Sequence, residues 1–197
     1  MAVIVDKVQK RRDIAFSCKG LVLDKGIKNI TISEIAKTAG IGKGSVYDYF
    51  KNKEDLVFEL VNIMLLQHYD SLIKETEKLS SAQEKIKSFF KFFYKEEDIE
   101  LRTIYKEFIA ISLSSPNEEM VAFQSKCSDK YYQWFDEIIQ NAINENEISP
   151  QAKSLLKGIF VSGEGMFITA TSTNQLATLE KDINEFIDAI FKLLEIK

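Results

Sequence analysis

No glycine occurs between Ser45 and Lys157, and the chain has only two prolines, Pro116 and Pro150. Glycine and proline are the residues that most readily interrupt a helix. More than a hundred residues without glycine therefore point to long helices, and no alternating apolar run bounded by turn residues argues for strands. The apolar spacing places helices over residues 6–25, 53–78, 82–95, 101–114, about 116–144, 151–172 and 179–194. Pro116 and Pro150 suit the first turns of the helices that they precede. With two short helices before residue 52, the expectation is an all-α chain of about nine helices. At 197 residues, 45% apolar and 28% charged, it has enough chain for one domain or two small ones, each with a buried core.

Five of the eight glycines fall in the first 44 residues, and there the pattern changes. Residues 31–53 read TISEIAKTAGIGKGSVYDYFKNK. Thr31 opens a helix, and Glu34 three positions on completes a capping-box pattern. Ile32, Ile35 and Ala36 form its apolar stripe, and Gly40 ends it in a left-handed turn. A second helix of about two turns then turns Val46 and Phe50 inward. It leaves Lys43, Gly44, Ser45, Tyr47 and Tyr49 nearer the outside. Asn52 starts a third helix, with Glu54 and Asp55 in the first turn, where acids suit the dipole. Helix, tight turn and short second helix is the geometry that delivers side chains to a DNA major groove. A plain helical hairpin has the same outline, so charge has to decide. Residues 1–53 hold eleven Lys or Arg against five Asp or Glu, a balance of +6, while residues 54–197 balance at −10. A basic end on an acidic chain favours docking on phosphates by that end alone.

Gly26, Thr31, Ile35-Ala36, Gly40, Gly44, Tyr47, Tyr49-Phe50 and Lys53 together resemble the N-terminal signature of the TetR family of transcriptional repressors. Cys18 and Gly20 depart from it, standing where the family favours good helix formers. The resemblance implies a helix-turn-helix DNA-binding domain over residues 1–52 and a helical ligand-binding and dimerisation domain over 53–197. It implies a homodimer whose recognition helices sit about 34–36 Å apart, or slightly more, on a palindromic operator. On DNA, Thr31 and Lys53 would meet phosphate, Lys43 and Ser45 would face the major groove, and Gly44 would allow close backbone approach. Tyr47 and Tyr49 would meet sugar and phosphate. Gly158, Ser162, Gly163, Phe167, Ile187 and Phe191, on the last two helices, would form the dimer surface.

Twelve of the 22 aromatic residues lie between Phe89 and Phe135. Aromatic residues at helical spacing are commonly packed core. In a member of this family the same region would line an inducer cavity for an apolar or aromatic molecule, a cationic one included, since ring faces attract cations. Phe93, Tyr105, Phe108, Tyr131 and Trp134 are the expected lining. His68, the single imidazole, is either a sensor there or structural; Glu164 is either a partner for a cationic ligand or an acid at the dimer seam.

No metal or cofactor is expected: Cys18 and Cys127 are far apart and one histidine rules out histidine-rich ligation. No Ser–His or Cys–His arrangement supports an enzyme. The MAVIV start is too short for the apolar segment of a signal peptide, and no uncharged apolar run approaches the ~18 residues of a membrane span. The expectation is a cytoplasmic DNA-binding repressor, released by its inducer. A DNA-binding structural or nucleoid-associated protein of the same fold, without an inducer, is the alternative.

Overall fold

The computed structural model describes residues 6–114 and 117–196. Pro116 and the MAVIV start lie outside the described residues. Those described form ten α-helices and four short 310 turns, with a single isolated bridge between Ile148 and Glu195 in place of any strand.

The chain divides into two compact units. One comprises residues 1–68 and 100–123, the other 69–99 and 124–197. The first contains α1 (Lys7–Ser17), α2 (Lys19–Lys25), α3 (Ile32–Ala39) and α4 (Lys43–Val46). It also takes most of α5 (Glu54–Thr76), nearly all of α7 (Ile99–Ser114) and the start of α8 (Glu118–Asn144). The second contains α6 (Ala82–Phe90), the rest of α8, α9 (Ala152–Ser172) and α10 (Leu179–Leu194).

The helix expected over residues 6–25 is two helices. Asp6 caps the first by accepting from the backbone N–H groups of Val8 and Gln9 at 3.0 and 3.2 Å. At its end the Ser17 hydroxyl donates to the Ile14 carbonyl at 2.8 Å. The Cys18 N–H, left to share Ile14 and Ala15, breaks the regular ladder. Gly20 follows and adds no side chain to restore it. At Gly26 the backbone takes φ 69°, ψ 152°, a region that essentially only glycine enters. A Cβ there would also stand 3.4 Å from Glu107 Oε1. Gly26→Ala is therefore expected to cost about 1–3 kcal/mol, read as a shift in the urea midpoint with the slope unchanged.

Two further helix ends use left-handed asparagines. Asn146 (φ 58°) follows α8 and Asn174 (φ 57°) follows α9. The next N–H in each case returns to a carbonyl five residues back: Glu147 to Ala142 and Gln175 to Ala170, both at 2.8 Å. These are glycine-type helix stops made with the residue that best tolerates that conformation after glycine. α6 begins with a capping box, Ser81 with Glu84, matching the one at Thr31.

Ile14, Val22, Ile35, Val46, Phe50, Leu56, Leu60 and Ile104 are buried in the core of the first unit. Phe123 meets Phe58 and Phe108 edge-on at 5.0 and 6.0 Å within it. α5 alone among the described helices has the length and composition to cross a membrane. Its Leu56, Val57, Leu60 and Val61 are nonetheless fully buried inside this unit, and Asp55 and Glu59 beside them are buried too, so it reads as a core helix.

In the second unit the buried stripe of α9 is Ala152, Leu156, Ile159, Gly163, Phe167 and Ala170. That of α10 is Leu179, Ile183, Ile187, Phe191 and Leu194. Both stripes follow the three-and-four spacing of one helix face. Cys18 is buried and Cys127 half-buried; burial pushes the Cys127 thiol up to about 11. It is a neutral thiol at physiological pH.

Candidate nucleic-acid interface

α3 starts on a reciprocal cap. The Thr31 hydroxyl accepts from the Glu34 N–H at 3.2 Å, and the Thr31 N–H donates to Glu34 Oε2 at 2.9 Å. Lys25 Nζ donates to Glu34 Oε1 at 2.6 Å. Lys25, then Thr31, hold the Glu34 carboxyl down to about 2. Gly40 closes α3 in the left-handed region (φ 66°, ψ 32°), and Ile41 N–H reaches back to the Ala36 carbonyl. Gly42 leads into α4, whose second turn tightens into three-residue bonds: Asp48 to Ser45 and Tyr49 to Val46. The expected two-turn helix is thus one α-turn followed by a tighter one.

Val46 and Phe50 are buried beneath α4, while Lys43, Gly44 and Tyr47 are exposed and Ser45 and Tyr49 partly so. Tyr47, at 57% exposure, is surface and not core. Nothing lies within 4 Å of the place a Cβ would take on Gly44, so backbone there is open to close approach. Among the described residues no hydrogen bond or ion pair engages the Lys43 ammonium.

Lys53 is arranged differently. Its ammonium donates to the backbone carbonyls of Lys28 and Ile30 at 2.8 and 3.3 Å. It ties the start of α5 to the segment just before Thr31, so a phosphate contact would draw on an ammonium already partly satisfied.

Arg11 carries a role that the sequence reading missed. Its Nε pairs with Glu59 at 2.8 Å, and its other end donates to the Tyr49 carbonyl at 2.7 Å. Its guanidinium lies 4.9 Å from the centroid of the Phe50 ring. One side chain thereby ties α1 to the end of α4 and to α5. The only signal in the sequence was the Lys10-Arg11-Arg12 cluster, which reads equally as a phosphate-facing patch.

The expected ligand residues are divided between the units. His68, Tyr105 and Phe108 belong to the first; Tyr105 and Phe108 stack at 6.2 Å. Phe93, Tyr131 and Trp134 belong to the second and are buried there. They join a ring cluster about Phe89, which meets Phe90 and Phe135 at 5.2 Å, Tyr131 at 5.7 Å and Trp134 at 6.1 Å.

The expected dimer residues need correction. Gly163, Phe167, Ile187 and Phe191 are core of the second unit, not surface. A Cβ on Gly163 would collide with the Phe90 ring and stand 2.7 Å from Phe93 Cε2. Gly158 is exposed and Ser162 partly so. The outward face of α9 carries Leu155, Gly158, Val161, Gly165 and Ile168, all exposed, and Leu193 of α10 is 78% exposed.

A capped helix, a left-handed glycine turn and a short second helix with an exposed basic start define a helix-turn-helix head on an all-helical chain. Residues 20–60 match the model of the bacterial regulatory proteins of the tetR family. The HTH-type transcriptional regulator QacR of Staphylococcus aureus is 30% identical over 155 residues, covering 72% of this chain and 79% of that protein. The fatty acid metabolism regulator protein of Bacillus subtilis is 32% identical over 66 residues, 34% of each chain, so that match spans about a third of the relative's length. The solved structure of a TetR-family transcriptional regulator from Cytophaga hutchinsonii has the same fold, with a TM-score of 0.77 at 15% identity over 96% of both chains. The chain belongs to the TetR family; it is a transcriptional regulator and not an enzyme.

Proposed function

We propose that the protein binds a palindromic operator as a homodimer in the cytoplasm, represses transcription there, and is released by an apolar or aromatic small molecule. The observation that carries the DNA reading is the start of α4, where Lys43 and Gly44 are exposed and the place of a Cβ on Gly44 is open. Ser45, Tyr47 and Tyr49 complete the reading surface. Thr31 and Lys53 flank it at the starts of α3 and α5. The domain assignment, a head over 1–52 and a body over 53–197, belongs to the same reading.

The homodimer would form on the outward face of α9, with Leu193 of α10. Gly158 and Gly165, seven residues apart, share that face and permit close helix approach, and Leu155, Val161 and Ile168 supply apolar area. Ile168→Asp is expected to raise the dimer dissociation constant about tenfold or more, since it buries a charge without a partner. Sedimentation would show this directly. The same variant would lose mobility shift on genomic fragments at low salt; a wild-type protein that shifts no fragment would overturn the DNA reading.

The ring packing around Phe89 favours a second reading, a DNA-binding structural protein with no inducer. Trp134, the single tryptophan, lies in that cluster. Titrating its fluorescence with apolar and aromatic compounds separates the two, because only an inducer-binding body responds.

A further inference from the structure

The reading helix has little backbone structure of its own to fix its direction. α4 is one α-turn continued by a tighter one, and carbonyls at the end of such a segment find no partner along the chain. The Tyr49 carbonyl, at that end, accepts from Arg11 Nη1 at 2.7 Å, and among the described residues no other donor reaches it. Nε of the same guanidinium donates to Glu59 Oε2 at 2.8 Å, and its Cζ lies 4.9 Å from the centroid of the Phe50 ring. Glu59 is buried, and Arg12 Nε stands 3.8 Å from its other oxygen.

A buried carboxylate needs a cation against it, so the charge of Arg11 is directed inward, to α5 and the end of α4. The planar guanidinium donates in two fixed directions at once, which an ammonium cannot do. That fork sets the separation between the Tyr49 carbonyl and Glu59, and with it the angle of α4 on α5. Side chains on α4 reach base edges productively only when held within about 0.5 Å of their places, by neighbours that do not themselves touch the ligand.

We infer that Arg11, with Glu59, is a positioning residue for DNA recognition. It touches no DNA; it sets where Lys43, Ser45 and Tyr47 stand against the bases. This rests on the operator-binding reading and assigns part of the sequence discrimination to a buried pair outside the reading surface. The competing role for Arg11 is a phosphate contact, as its place in the Lys10-Arg11-Arg12 cluster would suggest. The two roles differ in how they depend on DNA sequence, on salt and on the charge of Glu59.

The probes are the duplex that wild-type protein selects from a random library and a scrambled duplex of the same composition. Binding of the full-length protein is followed by fluorescence anisotropy at several salt concentrations. Arg11→Lys keeps the charge and loses the fork. It is expected to bind the selected duplex about 5-fold or more weakly, the low end for one lost base contact. Binding to the scrambled duplex and the salt slope are expected to stay unchanged. A phosphate contact would survive this substitution, and a merely structural arginine would lower the melting temperature without narrowing the ratio between the two duplexes. Glu59→Gln removes a negative charge from the head. By charge alone it would tighten binding to both duplexes; as part of the positioning pair it is expected to loosen binding to the selected one, and it carries the test should Arg11→Lys not fold. The inference is overturned if Arg11→Lys binds the selected duplex as wild type does, if both duplexes weaken together, or if Glu59→Gln tightens both. Wild-type protein that selects no duplex overturns the operator-binding reading, and this inference with it. Wild-type protein that selects one, beside an Arg11→Lys variant of equal affinity, sinks this inference alone.

Discussion

Gly163→Val is expected to destabilise the second unit by about 3 kcal/mol or more, the upper range for overpacking a filled core. The buried stripe of α9 passes through Gly163, and the hydrogen in place of a side chain is what admits the Phe90 and Phe93 rings. Both rings are themselves buried and in contact at 6.3 Å, so neither has open space to yield into. For a chain of this length the cost corresponds to a fall in melting temperature of about 6–12 °C. Trp134 fluorescence reports it from within the same unit. The outcome also tests the placement of this glycine. A core clash lowers stability equally at all protein concentrations, whereas damage to a dimer surface weakens with increasing concentration. An unchanged melting temperature would mean that the rings do not occupy this position.

Lys43→Ala is expected to weaken operator binding roughly 5- to 150-fold for each protomer, the range for losing one good base contact. If the ammonium instead meets phosphate, the loss is uniform across sequences, and the salt dependence flattens by about one unit of log–log slope per protomer. Mobility shifts on operator and random DNA at several salt concentrations distinguish the two. Equal affinity and equal slope for variant and wild type would remove Lys43 from the interface. Lys53→Ala is a poorer probe, because it also deprives the carbonyls of Lys28 and Ile30 of their donor.

The head was legible because its signals are local. The Thr31–Glu34 cap, the Gly40 turn and the inward Val46 and Phe50 each depend on residues within one or two turns of one another. The kink at Cys18 was missed for a reason equally local: a serine hydroxyl took a carbonyl from the ladder, and apolar spacing does not register that. What depended on distant partners was not legible. The destinations of Lys53 and Arg11 lie 23 to 48 residues away. The glycines of α9 show the difference most clearly. Gly158 and Gly165 are a heptad apart and share the outward face, while Gly163 falls on the opposite side with Leu156, Ile159 and Phe167. Grouping them by size concealed that opposition, although helical spacing alone contained it.

The bonds of Arg11 have a mechanical consequence. With one guanidinium gripping both the Tyr49 carbonyl and Glu59, and lying over the buried Phe50 ring between α4 and α5, the reading helix is coupled tightly to the first turns of α5. Torque applied to that segment of α5 would turn the reading helix as a rigid lever, so a small twist need not be absorbed before it is felt at the bases.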